Sequence, residues 1–154
     1  MWMTSARLWA RRGGVLLHRG PHNEYYKVFK NCYEILCNST DAKGRKLKVH
    51  KLTACKPFRI TKEEAENVLV SQGVGQNPDG KWRKEGDFAV PSYANFLITN
   101  GSIIFPIYGL DTDEEAVKCL EEIVAGRYVV RPVNAHEIAL CGGSIHCFTQ
   151  QVVK

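Results

Sequence analysis

Nowhere does the chain carry an apolar run near the roughly 20 residues that a membrane helix requires, so no membrane span is expected. The N-terminus also lacks the apolar core of a secretory signal peptide. Six cysteines are present, but their spacing is irregular and no Cys-x-x-Cys pair occurs. That argues against a disulfide framework and against a zinc knuckle. Cys32, Cys37, Cys141, His146 and Cys147 are the nearest to a ligand set. His146 and Cys147 are adjacent, and on a strand they would point to opposite faces. The expectation is a reduced, cytoplasmic protein with no metal and no cofactor.

Acidic residues are missing from the N-terminus: none precedes Glu24, while Arg7, Arg11, Arg12 and Arg19 do. Two readings follow. The composition is that of an organellar transit peptide, or Ala6–Trp9 and Val15–His18 are two strands joined by a turn at Arg11-Arg12-Gly13-Gly14. The second basic cluster, Lys43 to Leu52, places Leu47, Val49 and roughly Leu52 against Lys46, Lys48 and His50. This is a half-buried strand with a solvated basic face. With no aromatic interleaving to stack bases, no nucleic-acid partner is expected.

What is present fits one soluble globular domain. The chain has 154 residues, 44% hydrophobic and 24% charged, with a net charge of +5; that length can bury a real core. His22 to Cys37 carries Tyr26, Phe29, Cys32 or Tyr33, and Leu36 at helical spacing, ended by Asn38-Ser39-Thr40-Asp41. Thr61-Lys62-Glu63-Glu64 is a capping box opening a short helix. Ser71 to Gly86, with four glycines and Pro78, reads as a long surface loop. Tyr93–Thr99 and Ile103–Tyr108 form a hairpin around Asn100-Gly101. Thr112-Asp113-Glu114-Glu115 is a second capping box. Ala116, Leu120, Ile123 and Val124 form its helix's stripe, and Gly126 its end. Arg127 to Val133 is a further strand. Strand, strand, helix, strand is thus read twice, from about Ala6 to Leu52 and again from Tyr93, which suggests an internal repeat.

The chemistry concentrates near the C-terminus, in Cys141-Gly142-Gly143-Ser144-Ile145-His146-Cys147-Phe148-Thr149-Gln150-Gln151. Glycines let backbone wrap closely around a ligand, and a thiol is reactive where its surroundings permit a thiolate. Cys147 is the candidate nucleophile. Against this stands the commoner fate of an unpaired cysteine, a small buried apolar residue. The segment resembles the C-terminal signature of the agmatine deiminase and bacterial peptidylarginine deiminase family, Gly-Gly-Gly-Asn-Ile-His-Cys-Ile-Thr-Gln-Gln. It departs at Cys141, in place of the first glycine, and at Ser144, in place of asparagine. Tyr25 through Asp41 with Lys43-Gly44-Arg45-Lys46-Leu47, and Ser92-Tyr93-Ala94-Asn95-Phe96-Leu97, are similar to other family segments.

The resemblance implies an α/β fold, a partial pentein (α/β-propeller) of about two modules, with residues 1–154 as the C-terminal portion of one family domain. It implies hydrolysis of a small guanidino substrate, agmatine to N-carbamoylputrescine plus ammonia, or of peptidylarginine. The route is a cysteine thiouronium intermediate. Catalytic Cys147 is implied, with Asn95, Gly142, Gly143 and His146 binding substrate or shaping the pocket. Family members also use a His-x-Asp motif, and none occurs in this chain; by alignment the chain begins where its histidine should be, with Trp2 at the aspartate position. His22 is read as part of a solvated helix start, and His136-Glu137 as a short turn. An inactive homologue or interaction module is the alternative. A partial ring would leave module faces and strand edges without neighbours, so self-association is expected.

Overall fold

A computed structural model describes residues 6–9, 13–18, 26–71, 83–89 and 91–152. Its architecture is mixed α/β. Strands β1 (Ala6–Trp9) and β2 (Gly13–His18) pair antiparallel, with Trp9 opposite Gly13. Helix α1 (Tyr26–Asn38) then carries the chain to β3 (Lys48–Thr53), which lies parallel to β2 with Leu17 opposite Leu52. Between them Asp41 closes a tight turn. Its carboxylate accepts the Lys43 and Arg45 N–H groups at 2.9 and 3.0 Å and the Arg45 guanidinium. These bonds hold the Asp41 pKa down, to about 2.

The middle of the chain is small. β4 (Phe58–Arg59) pairs antiparallel with β5 (Phe88–Ala89), and α2 (Lys62–Ser71) lies between them in sequence. The predicted capping box at its start is real: Thr61 N–H donates to Glu64 Oε2 at 2.7 Å and Glu64 N–H to Thr61 Oγ1 at 3.2 Å. Of the expected loop from Ser71 to Gly86, Ser71 belongs to the helix, 83–86 are irregular, and 72–82 lie outside the described residues.

The last portion repeats the first. β6 (Leu97–Ile98) pairs antiparallel with β7 (Ser102–Ile107) around Gly101, whose φ of 86° suits glycine. Helix α3 (Asp113–Val124) crosses to β8 (Val129–Asn134), parallel to β7. Two short helices follow, α4 (His136–Leu140) and α5 (Ile145–Phe148). The strand orders are β1-β2-β3 and β6-β7-β8, so the strand-strand-helix-strand reading holds twice. One apolar core joins the two units. Val15, Leu17 and Leu52 share it with Phe96, Phe105, Leu120 and Val130, and Glu115 on α3 accepts the Thr53 hydroxyl at 2.9 Å.

Four expectations need correction. Tyr93–Thr99 is not one strand. Residues 91–96 are buried without alternation and turn through the Asn95 N–H to Ser92 carbonyl bond at 3.0 Å, leaving only Leu97–Ile98 paired. Thr112 does not cap α3. Its hydroxyl bonds Tyr93 instead, and Asp113 folds back to accept the Tyr108 and Leu110 N–H groups, each at 3.0 Å. His136-Glu137 is no isolated turn but the first turn of α4, where Asn134 Oδ1 accepts the His136 N–H at 2.9 Å. His146 and Cys147 sit on helix α5 rather than on a strand. Successive helical side chains diverge by about 100°, not 180°, so the two do not face opposite ways. The turn expected at residues 11–12 and the candidate His22 lie outside the described residues; Gly13 and Gly14 belong to β2.

Candidate active site

Cys147 is exposed, and its sulfur accepts a hydrogen bond from the Asn95 amide, Nδ2 to Sγ 3.0 Å. The orientation of that amide is fixed by its other end. Asn95 Oδ1 accepts the His146 N–H at 3.0 Å and the Asn95 carbonyl also faces it, at 3.2 Å. An oxygen held by an N–H leaves the NH2 group for the sulfur. Asn95 is itself 6% exposed, so its amide is held by packing as well as by bonds. Residues 95 and 147 come from opposite ends of the second sheet unit, one just before β6 and one after β8 and α4.

The glycines act in two ways. Gly142 has φ 87°, a left-handed conformation that turns the chain out of α4, and a side chain there would also stand 3.1 Å from the Arg83 guanidinium. Gly143 leaves space beside Cys147: an added Cβ would lie 3.5 Å from the Cys147 Cβ and 3.7 Å from the Phe148 ring. Contact at those distances is ordinary, so packing does not force glycine at position 143.

Below the loop lies a polar network that sequence reasoning missed. Ser144, 1% exposed, bonds Tyr108 Oη at 2.8 Å. The Tyr108 hydroxyl donates to the Ser92 carbonyl at 3.1 Å and accepts the Ser92 N–H at 3.2 Å. With its single proton so used, the phenol accepts from the Ser144 hydroxyl. Burial raises the Tyr108 pKa far above the usual phenol range, keeping it a neutral hydroxyl. The Ser92 carbonyl also accepts the Asn95 N–H, so the network reaches the residue that contacts Cys147. No spacing in the sequence links Tyr108 to Ser144; only the fold does.

Of the residues expected at the site, Asn95, His146 and Cys147 come together, and Gly142 and Gly143 frame them. Cys141, at the end of α4, is exposed. His136 is engaged elsewhere: Nε2 lies 2.7 Å from Glu64 Oε1 and Nδ1 3.0 Å from the Tyr108 carbonyl.

A sequence model of the Porphyromonas-type peptidyl-arginine deiminases matches residues 4–152. The chain belongs to that family. Among relatives of this deiminase-family chain, the Listeria monocytogenes protein named "Putative agmatine deiminase 1" is 46% identical over 129 residues, covering 84% of the chain and 34% of that protein. The solved agmatine deiminase of Enterococcus faecalis superposes with a TM-score of 0.70 at 30% identity, covering 90% of the chain and 36% of that structure. The deiminase-family chain thus spans about a third of the length of the relatives it matches.

Proposed function

We propose that the chain carries the cysteine side of an agmatine-deiminase-type site, with Cys147 as the nucleophile. The observation that supports this reading best is the exposed Cys147 sulfur aligned by the buried Asn95 amide. The Cys147 thiolate attacks the central carbon of a guanidinium, and the adduct collapses as a C–N bond breaks and ammonia leaves with a proton. A covalent S-alkylthiouronium remains. Water then adds to its carbon, the C–S bond breaks, and the thiol is regenerated with a carbamoyl product. On agmatine the net change is one water consumed and ammonia plus N-carbamoylputrescine formed. Such a route needs a general acid and base within hydrogen-bond reach and acidic groups paired with the planar cation.

A second reading, a non-catalytic module, is favoured by one fact: no His-x-Asp occurs in these 154 residues. The two are separated by pairing an ammonia assay on agmatine with peptide-resolved labelling by an electrophilic amidine. The deiminase reading expects labelling at Cys147 in preference to exposed Cys141, and ammonia release that Cys147→Ala abolishes. Selective labelling without ammonia supports the module. Equal labelling of both cysteines with no ammonia from the wild type would falsify Cys147 as the nucleophile.

A further inference from the structure

Three separate parts of the fold converge on the His136 side chain at the start of α4. Glu64 comes from α2, the Tyr108 carbonyl from the segment after β7, and the Phe58 ring from β4, stacked on the imidazole with centroids 4.5 Å apart and planes 13° apart. The two nitrogen contacts constrain the ring's protonation. A backbone carbonyl only accepts, and so does an ionised carboxylate, whereas a neutral imidazole has a single N–H. Glu64 is held as a carboxylate by the Thr61 N–H on its other oxygen and by His136 itself, which lower its pKa. Both bonds can therefore exist together only with the imidazolium. The stacked Phe58 face suits a cation as well.

Tyr108 connects this cation to the cysteine loop. Its carbonyl takes His136, and its hydroxyl takes Ser144, three residues before Cys147. Phe148 N–H in turn donates to the Ser144 carbonyl at 3.2 Å, closing α5. On the other side, Leu140 at the end of α4 is fully buried with Ile60, Ala65, Val68 and Ala89, which fixes α4 to the Glu64 helix.

We propose that His136 is a positioning residue: as an imidazolium it ties the Glu64 carboxylate to the Tyr108 carbonyl and so holds the 141–148 segment in the geometry that presents Cys147. The neutral ring gives up one bond and the segment loosens. This rests on reading Cys147 as the reactive thiol, but its readout requires no turnover.

Among the described residues the charged groups facing the ring are acidic, Glu64 from α2 and Glu137 from α4 itself, while Tyr108 contributes a dipole and Phe58 a neutral ring. Burial disfavours the charged ring, but the Glu64 and Tyr108 bonds and the charges of Glu64 and Glu137 outweigh it and raise the pKa above the ordinary 6.5. A raised histidine pKa stabilises the fold fully below the unfolded value and loses that contribution as pH rises through the folded one.

The test is amide hydrogen exchange at His146 and Phe148 in the full chain, from about pH 5.5 to about pH 9, a span that brackets histidine titration. His136→Arg supplies a permanent cation with donors for both acceptors. His136→Gln supplies one neutral donor group, and Glu64→Gln removes the carboxylate but keeps an acceptor for Thr61. Rates are compared as variant-to-variant ratios at each pH, which cancels intrinsic exchange. The Gln variants should exchange about tenfold faster than His136→Arg, the scale of one lost charge-assisted bond. Wild type should match the Arg variant at the acid end and the Gln variants at the alkaline end. A wild type that tracks either one across the whole range overturns the proposal. Should the crossover appear while ammonia release is absent, the clamp stands and the deiminase reading falls; release without a crossover does the reverse.

Discussion

The two strand-strand-helix-strand units share one connectivity and differ in how they are buried. In the second unit α3 buries Ala116, Leu120 and Val124 completely or nearly so. In the first, α1 has no buried residue at all. Its Phe29, Cys32, Tyr33 and Leu36 stripe is half-covered, while Val28 and Ile35 stand 42% and 65% exposed. The contrast has a simple cause. α3 is packed from two sides, by its own sheet and by β3 of the other unit, where Cys119 Sγ donates to the Lys51 carbonyl and Glu115 accepts from Thr53. Among the described residues α1 packs mainly on β2 and β3, with Lys51 Nζ 4.7 Å above the Tyr33 ring. The shared topology is thus filled in two ways, and the candidate site residues Asn95 and Cys147 flank the more deeply packed unit.

The sharpest break of this comparison is a pair of truncations at equivalent helix faces. Leu120→Ala removes a fully buried side chain and should cost about 2–5 kcal/mol, transfer and cavity terms together. Leu36→Ala removes a half-covered one and should cost about 1 kcal/mol. Urea unfolding at constant slope reads both. Equal losses would mean that burial in α1 is greater than the fold shows.

Next in size is the fold-back at the head of α3. Asp113 accepts the Tyr108 and Leu110 N–H groups on one oxygen and the Tyr93 hydroxyl on the other. Asp113→Asn keeps the shape but leaves one of these positions facing an NH2 donor. Losing the charged acceptor on which these bonds converge costs about 1–3 kcal/mol. The unfolding midpoint should fall accordingly. Because Tyr108 also anchors Ser144, amide exchange at Phe148 should rise with it; a change in stability without faster exchange there would separate Tyr108 from the cysteine loop.

Much of this was legible in the residues. The helix stripes of both units, the Asn100-Gly101 hairpin and the Thr61 box are local patterns that the fold keeps. Cys147 was singled out by the glycines and polar residues around it and by words shared with a family, Asn95 by the shared words alone. What stayed hidden was set by tertiary competition. Residues 91–96 have the composition of a strand, but Tyr93 is claimed by Thr112 and Asp113, and the chain turns. Thr112 and Glu115 spell a capping box, yet their side chains bond Tyr93 and Thr53 instead. His136 looked like a turn residue because its partners, Glu64 and Tyr108, are 72 and 28 positions away.

The two capping sequences offer the finest test of that competition. Thr61→Ala removes the hydroxyl that Glu64 N–H donates to, at a helix start with no other described side chain on that N–H, and should cost about 1 kcal/mol. Glu115→Gln, at the corresponding position of the second sequence, leaves an acceptor for the Thr53 hydroxyl and changes no cap, so it should shift stability by less than about 0.5 kcal/mol. Thermal unfolding of the two variants measures the difference directly. If Glu115→Gln were the costlier change, α3 would depend on its first-turn charge more than on the Asp113 fold-back, and the reading of its N-terminus would reverse. If Thr61→Ala cost nothing, the stability of this corner would reside in the Glu64 carboxylate, which the residue 61 N–H and His136 would still hold, rather than in the Thr61 hydroxyl.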